Sequence, residues 1–223
     1  GGESAAVPEV SQPESGSADK SVWVEGSAVK GVISGGLVTI FQSQGSNTWL
    51  QVGESVRTDS EGRFRVSVPD DLIGQALKVV LNSDSATQMR CDVRPTCRTP
   101  GGGSVVFGDS FWPGNDLSLK AVANPSEAPT GKTILSPLGS LAYQLALNKG
   151  LPELSDYQAA LASLEAEFGL SEGVLSRPQV DLASSDALQQ PPEMVMSSLL
   201  NVGFLALAAD DRWGSLAKVI DNF

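Results

Sequence analysis

The sequence predicts an α+β fold: an antiparallel β-sandwich over residues 21–123, then a helical subdomain over residues 133–223. Three observations carry this. Phe64, Val66 and Val68 alternate with Arg63, Arg65 and Ser67, the period-2 pattern of a strand with one buried face. Short β-branched and aromatic runs recur between turn residues at roughly 8–12-residue spacing, which favours a sandwich. From Ser136 onward the apolar residues change to helical spacing.

In chain order, residues 1–20 are Gly, Glu, Ser, Ala, Pro and Gln with only Val7 and Val10 as large apolar side chains. Such a segment buries too little surface to offset its ordering entropy, so we expect a flexible acidic tether. Val22–Val24 opens the strands. A glycine-rich bend, Gly31 to Gly36, leads into Leu37–Phe41, and Trp49–Val56 resumes the pattern. Asp59 to Gly62 supplies a tight turn, read as a plain hairpin, because Asp bonds its own backbone and Gly tolerates positive φ. Ala76–Leu81, Thr87–Arg90, Val105–Phe107 and Leu117–Val122 complete the set. Residues 124–132, with Pro125, Pro129 and Gly131, read as a linker.

Ser136-Pro137 predicts a helix start, a capping hydroxyl followed by Pro at the first helical position. Gly150 fits its end. Ser155 to Gln158 reads as a capping box ahead of the stripe Tyr157, Leu161, Leu164 and Phe168, which Gly169 stops. Pro191-Pro192 starts a third helix, Glu193 to Ala209, apolar around much of its surface and therefore expected to be central. Asp210-Asp211 is expected to cap a fourth, with Trp213, Leu216, Ala217, Ile220 and Phe223 on one face. That stripe ends without a partner, so the helical half is a candidate assembly surface.

Composition narrows the function. Acidic residues number 26 against 15 basic ones, a net charge of −11. Such a chain repels phosphate backbones and anionic membrane surfaces, so no nucleic-acid partner is expected. Histidine is absent. This removes the commonest general base and metal ligand, together with the Ser-His-Asp and Cys-His systems. Neither the Asp70-Asp71 and Asp210-Asp211 pairs nor Lys132 with Ser136 has catalytic spacing. The reading is a non-enzyme with no cofactor.

The two cysteines, Cys91 and Cys97, have C-x5-C spacing, which is neither the redox C-x-x-C nor a zinc set. We expect a disulfide, hence an oxidising compartment. Six arginines, Arg57, Arg63, Arg65, Arg90, Arg94 and Arg98, lie between residues 57 and 98. Arg63 and Arg65 share one outward strand face and are candidates for an anionic ligand or partner, set against a plain solvated face neutralised by neighbouring acids. Trp49 and Trp112 sit in loop-like stretches. Exposed, they could stack on a sugar or anchor an interface, and the alternative is burial. Trp23 and Trp213 read as core. The Asp59–Gly62 turn has too few acidic positions for a calcium loop.

Val29 to Ile40, followed by Thr58-Asp-Ser-Glu-Gly-Arg-Phe64, resembles the carboxypeptidase-regulatory-like, transthyretin-type β-sandwich over roughly residues 22–82. Leu37 stands where that family usually has Ala. The acidic leader, the Cys loop and the stretch Thr133 to Ala142 resemble a group of bacterial cell-surface lipoproteins. The resemblance implies a transthyretin/Ig-like sandwich and an extracytoplasmic binding, adhesion or structural role. It also implies that any membrane attachment runs through a lipid anchor on a cysteine ahead of Gly1. The expected partner is an extracellular protein or a glycan. The alternative is a carbohydrate-binding accessory module of a larger secreted enzyme. The resemblance carries over no catalytic residue.

Overall fold

The computed structural model describes residues 22–28, 31–128, 133–150, 152–208 and 215–222. The tether expected over residues 1–20, Lys132, Asp210, Asp211, Trp213 and Phe223 lie outside the described residues.

The fold is mixed α+β, with mostly antiparallel strands in sheets and, among the described residues, four α-helices. Numbered in chain order, the strands open with β1 (Val22–Ala28), β2 (Ile33–Ser34) and β3 (Leu37–Ser43). Then come β4 (Trp49–Arg57), β5 (Arg63–Val68), β6 (Leu77–Asn82) and β7 (Gln88–Arg90). The short β8 (Thr96–Arg98), β9 (Ser104–Val106) and β10 (Ser110–Phe111) precede β11 (Ser118–Ala123) and β12 (Thr133–Leu135). The helices are α1 (Pro137–Leu147), α2 (Leu154–Glu167), α3 (Pro192–Ala208) and α4 (Leu216–Asp221).

The largest sheet has the order β11-β6-β3-β4, and a second has the order β12-β1-β5. Strand β5 does not fold back on β4. It pairs with β1, so the Asp59–Gly62 turn carries the chain from one sheet to the other and is not a hairpin. The turn itself forms for the expected reason. The Asp59 carboxylate accepts from the Glu61 and Arg63 amides, each at 2.9 Å. Thr58, just before it, is buried and clips the glycine bend shut. Its hydroxyl donates to the Ile33 carbonyl at 2.7 Å and accepts from the Gly36 amide at 3.0 Å.

The alternation in β5 resolves as read: Phe64, Val66 and Val68 are buried, while Arg63, Arg65 and Ser67 are exposed. Strand β6 has one wholly apolar face and one mixed face, which carries Lys78, Val80 and Asn82. Leu77, Val79 and Leu81 are fully buried in the core, and Val80 is buried on the opposite face, while α1 and α2 pack on the neighbouring β11. One continuous apolar cluster runs from Val22 and Phe64 through Leu119 to Leu138, Leu141 and Leu161.

The residues after the linker are extended. Thr133, Ile134 and Leu135 pair in parallel with Gly26, Ser27 and Ala28 before the first helix begins. Two β-branched residues ahead of the capping Ser136 favour this strand. The approach is close: a Cβ on Gly26 would lie 1.9 Å from the Thr133 carbonyl oxygen and 2.7 Å from the Phe64 ring. Gly26→Ala is therefore expected to destabilise the fold by about 2 kcal/mol through overpacking against backbone, measured by urea unfolding.

Helix α1 starts as read, with the Ser136 hydroxyl accepting from the Gly139 amide. Helix α2 starts earlier than the capping-box reading: Glu153 is the flanking residue and Ser155 is already helical. Helix α4 is capped by Ser215, and it buries Leu216 and Val219 while Ala217 stays exposed. Helix α3 is not central. It turns Ser197, Ser198 and Asn201 inward and leaves Met196 and Leu199 half exposed, at 52% and 51%.

Candidate functional site

Cys91 and Cys97 are bonded to each other, with Cα atoms 5.6 Å apart. No helix among the described residues is long and apolar enough to cross a membrane. Both facts are compatible with an extracytoplasmic location. Replacing both cysteines with Ser is expected to cost about 2 kcal/mol, the loop-entropy contribution of so short a loop, read as a lowered urea midpoint.

Arg63 and Arg65 lie where the alternation places them, on one outward face, beside a groove of about 320 Å³ with Arg57 and Phe64. Their charges are already matched. Arg63 pairs with Asp59 at 3.2 Å and also with Glu61, and Arg65 pairs with Glu25 at 3.0 Å. Arg57 pairs with Asp84 at 2.7 Å, which holds the Asp84 carboxyl below its ordinary range. The Arg65 guanidinium also covers the Trp23 ring at 4.1 Å. Trp23 is therefore half-buried on the outer face of β1 and is not core, because Val22 and Val24 take the inner face.

Trp112 is 41% exposed, with its indole N–H donating to the Asp84 carbonyl at 3.1 Å. Trp49 lies elsewhere, so the structure does not gather Arg63, Arg65, Trp49 and Trp112 into one site. Trp49 lines a separate cleft of about 350 Å³, with Gln42, Gln75, Lys78, Pro152 and Glu153 among its walls.

The cleft follows from the sheet. Cross-strand pairing sets Phe41, Lys78 and Val122 in one row across β3, β6 and β11. Trp49 stands opposite Ser43, further along the β3–β4 ladder. Helices α1 and α2 cover the β11 side of this face. The cleft opens where that cover stops, with Pro152 and Glu153 just ahead of α2 forming one wall.

Lys78 is the chemical centre. Its ammonium lies 3.8 Å from the Trp49 ring centroid and 4.9 Å from that of Phe41. Burial, with the charge of Lys120 behind it, brings its pKa down to about 8. The ring faces favour the ammonium, each by roughly 0.5–2 kcal/mol as a rule, but they also displace water, and loss of hydration dominates. Among the described residues no carboxylate pairs with Lys78. Gln42 donates to the Gln75 side-chain oxygen at 2.8 Å, and Gln75 donates to the Asp71 carbonyl at 3.1 Å, which fixes both amides at the rim. The arrangement offers a flat aromatic ring, one cation and oriented amides. It can hold a polar ligand with an apolar face.

A folded pKa below the unfolded value makes folding disfavour the charged amine. Lys78→Met is therefore expected to be more stable than the unsubstituted protein at pH 7. That difference should shrink as pH rises from about 8 towards the ordinary lysine value of 10.5. Urea midpoints at stepped pH check this.

Sequence reasoning reached Trp49 but missed Lys78. The available signal was a lone charge inside the apolar run Ala76 to Leu81. Among the described residues no group of three or more metal-ligating side chains is gathered. No family model, curated protein or solved structure matches the chain.

Proposed function

We propose that this chain is a non-catalytic binding module of the bacterial cell envelope, and that its ligand site is the cleft at Trp49 and Lys78, built for a glycan. The observation that carries the reading is the Trp49 ring beside oriented amides and a cation in an open cleft, a combination suited to stacking on a sugar and bonding its hydroxyls. The absence of histidine from the sequence supports a binding role over catalysis.

The fold in this proposal is a transthyretin-type β-sandwich. The chain's passage between sheets at Asp59–Gly62 and the shared core of the two sheets support it. The disulfide supports a location outside the cytoplasm. In the same proposal the chain is part of a larger protein, tethered through a lipidated cysteine ahead of the acidic leader.

Retention on an immobilised panel of envelope and plant-wall polysaccharides tests the reading. Trp49→Ala is expected to lose at least about tenfold in affinity, the upper part of the range for removing a stacking or anchoring aromatic. Trp112→Ala is expected to keep full binding. Loss in the Trp112 variant alone would move the site to the opposite region, and no retention on any glycan would overturn the proposal.

A further inference from the structure

We infer that the ligand of this cleft carries a carboxylate, as an acidic sugar does, and that the Lys78 ammonium is its counter-charge. The inference rests on the glycan reading above and narrows it. Its ground is a half-buried cation, seated against two aromatic rings in an open cleft, with no carboxylate partner among the described residues. Carboxylates outnumber cations in this chain, 26 to 15. Arg57, Arg63, Arg65 and Arg90 each hold one, at Asp84, at Asp59 and Glu61, at Glu25 and at Asp181. Lys78 holds none among the described residues, as is also true of exposed cations such as Arg94, Lys149 and Arg177; what sets it apart is that it is half-buried and lines a cleft open to ligand.

The surroundings keep that charge in position. The Trp49 and Phe41 rings lie on the ammonium, and Lys120, two residues along the neighbouring strand β11 from Val122, adds positive potential from below. An amide side chain has two N–H donors. Gln42 and Gln75 each spend one on the hydrogen bonds described above, which leaves one each for a ligand oxygen. A carboxylate seated at Lys78 would gain a charge-assisted hydrogen bond in a partly desolvated site, where such bonds are strongest.

The titratable groups facing Lys78 are Lys120 from β11 and Glu153 from the segment ahead of α2, while β3 and β4 present Phe41, Gln42, Ser43 and Trp49. Glu153 is exposed on the far wall and opposes an anion. That opposition gives the inference a sharp signature. Removing the Glu153 charge should tighten a carboxylate ligand, and it should leave a neutral one unchanged or weaken it.

Calorimetric titration of the whole chain with short oligomers of galacturonate, glucuronate and mannuronate, each beside its methyl ester, tests this at pH 6.5. At least one acid is expected to bind about tenfold or more tighter than its ester. Lys78→Met is expected to erase that difference, with far-ultraviolet circular dichroism confirming the fold. Glu153→Gln is expected to tighten the acid several-fold. Affinity for the acid is expected to fall as pH rises above about 8, where Lys78 loses its proton. Equal binding of acids and esters, or weaker acid binding by Glu153→Gln, would overturn the inference and leave the glycan reading standing. Absence of binding by every acid and ester, with retention of neutral glycans on the panel above, would also overturn it alone. Absence of both overturns the two together.

Discussion

Replacing Leu141 with Ala is expected to lower stability by about 3 kcal/mol, in the middle of the range for buried leucines. It should also loosen strands and helices together. Leu141 is 1% exposed on α1, the helix that packs on β11, β12, α2 and α3 at once. The apolar cluster does not stop at the boundary between the strand-rich and helical halves. Unfolding in urea should therefore be a single transition, with tryptophan fluorescence and circular dichroism at 222 nm shifting by the same amount. A variant in which only the helical signal moves would show two separately folding halves, and the cleft between them would lose its fixed geometry.

Asn201→Leu is expected to cost about as much, roughly 3 kcal/mol, for a different reason. Asn201 is 1% exposed in the middle of α3, and its side-chain oxygen accepts from the Leu138 amide at 2.9 Å. That amide belongs to the first turn of α1 and has no partner within its own helix. The Asn201 amide group donates to the Ser197 carbonyl at 3.1 Å and to Gln179 at 3.3 Å. Leucine fills similar space but leaves a buried N–H unpaired, where the penalty is about 1–3 kcal/mol for one group. The loss of the coupled bonds to Gln179 adds to it. Asn201→Asp restores an acceptor and should recover part of the loss at neutral pH. Thermal unfolding of the three proteins side by side measures this.

Much of the strand-rich half was legible because its signals are local. Alternation in Arg63–Val68 and the Asp-to-Gly turn before it depend on neighbours in sequence; the alternation formed as read, and the turn formed locally although it joins two sheets and not a hairpin. So did the Ser136-Pro137 helix start. Pairing was not legible. Nothing local says that β5 joins β1 and not β4, or that Thr133–Leu135 would lie parallel to β1 across more than a hundred residues.

The orientation of α3 was misread for the same reason. An apolar helix was expected to be central, but the surroundings of its inner face are mixed: beside the apolar packing of Met194 and Phe204 they include the Leu138 amide, the Gln179 side chain and the Val180 amide, which donates to the Ser198 hydroxyl at 2.9 Å. Those partners draw Ser197, Ser198 and Asn201 inward and leave Met196 and Leu199 outside. The cleft was half legible. Trp49 was a candidate from its loop-like flanks. Lys78 became one only when pairing set it beside Phe41 and under the Trp49 ring, with Glu153 brought in from the helical half.

In the proposed function the ligand meets this chain at the Trp49–Lys78 cleft, and not at the arginine face or Trp112. Backbone and tryptophan-indole NMR shifts, recorded while the best-retained oligosaccharide is titrated into the labelled protein, test it most directly. Saturable shifts clustered at Gln42, Trp49, Gly74, Gln75 and Lys78 are expected. Shifts clustered instead at Arg63, Arg65 and Trp23, or at Trp112 and Asp84, would contradict it.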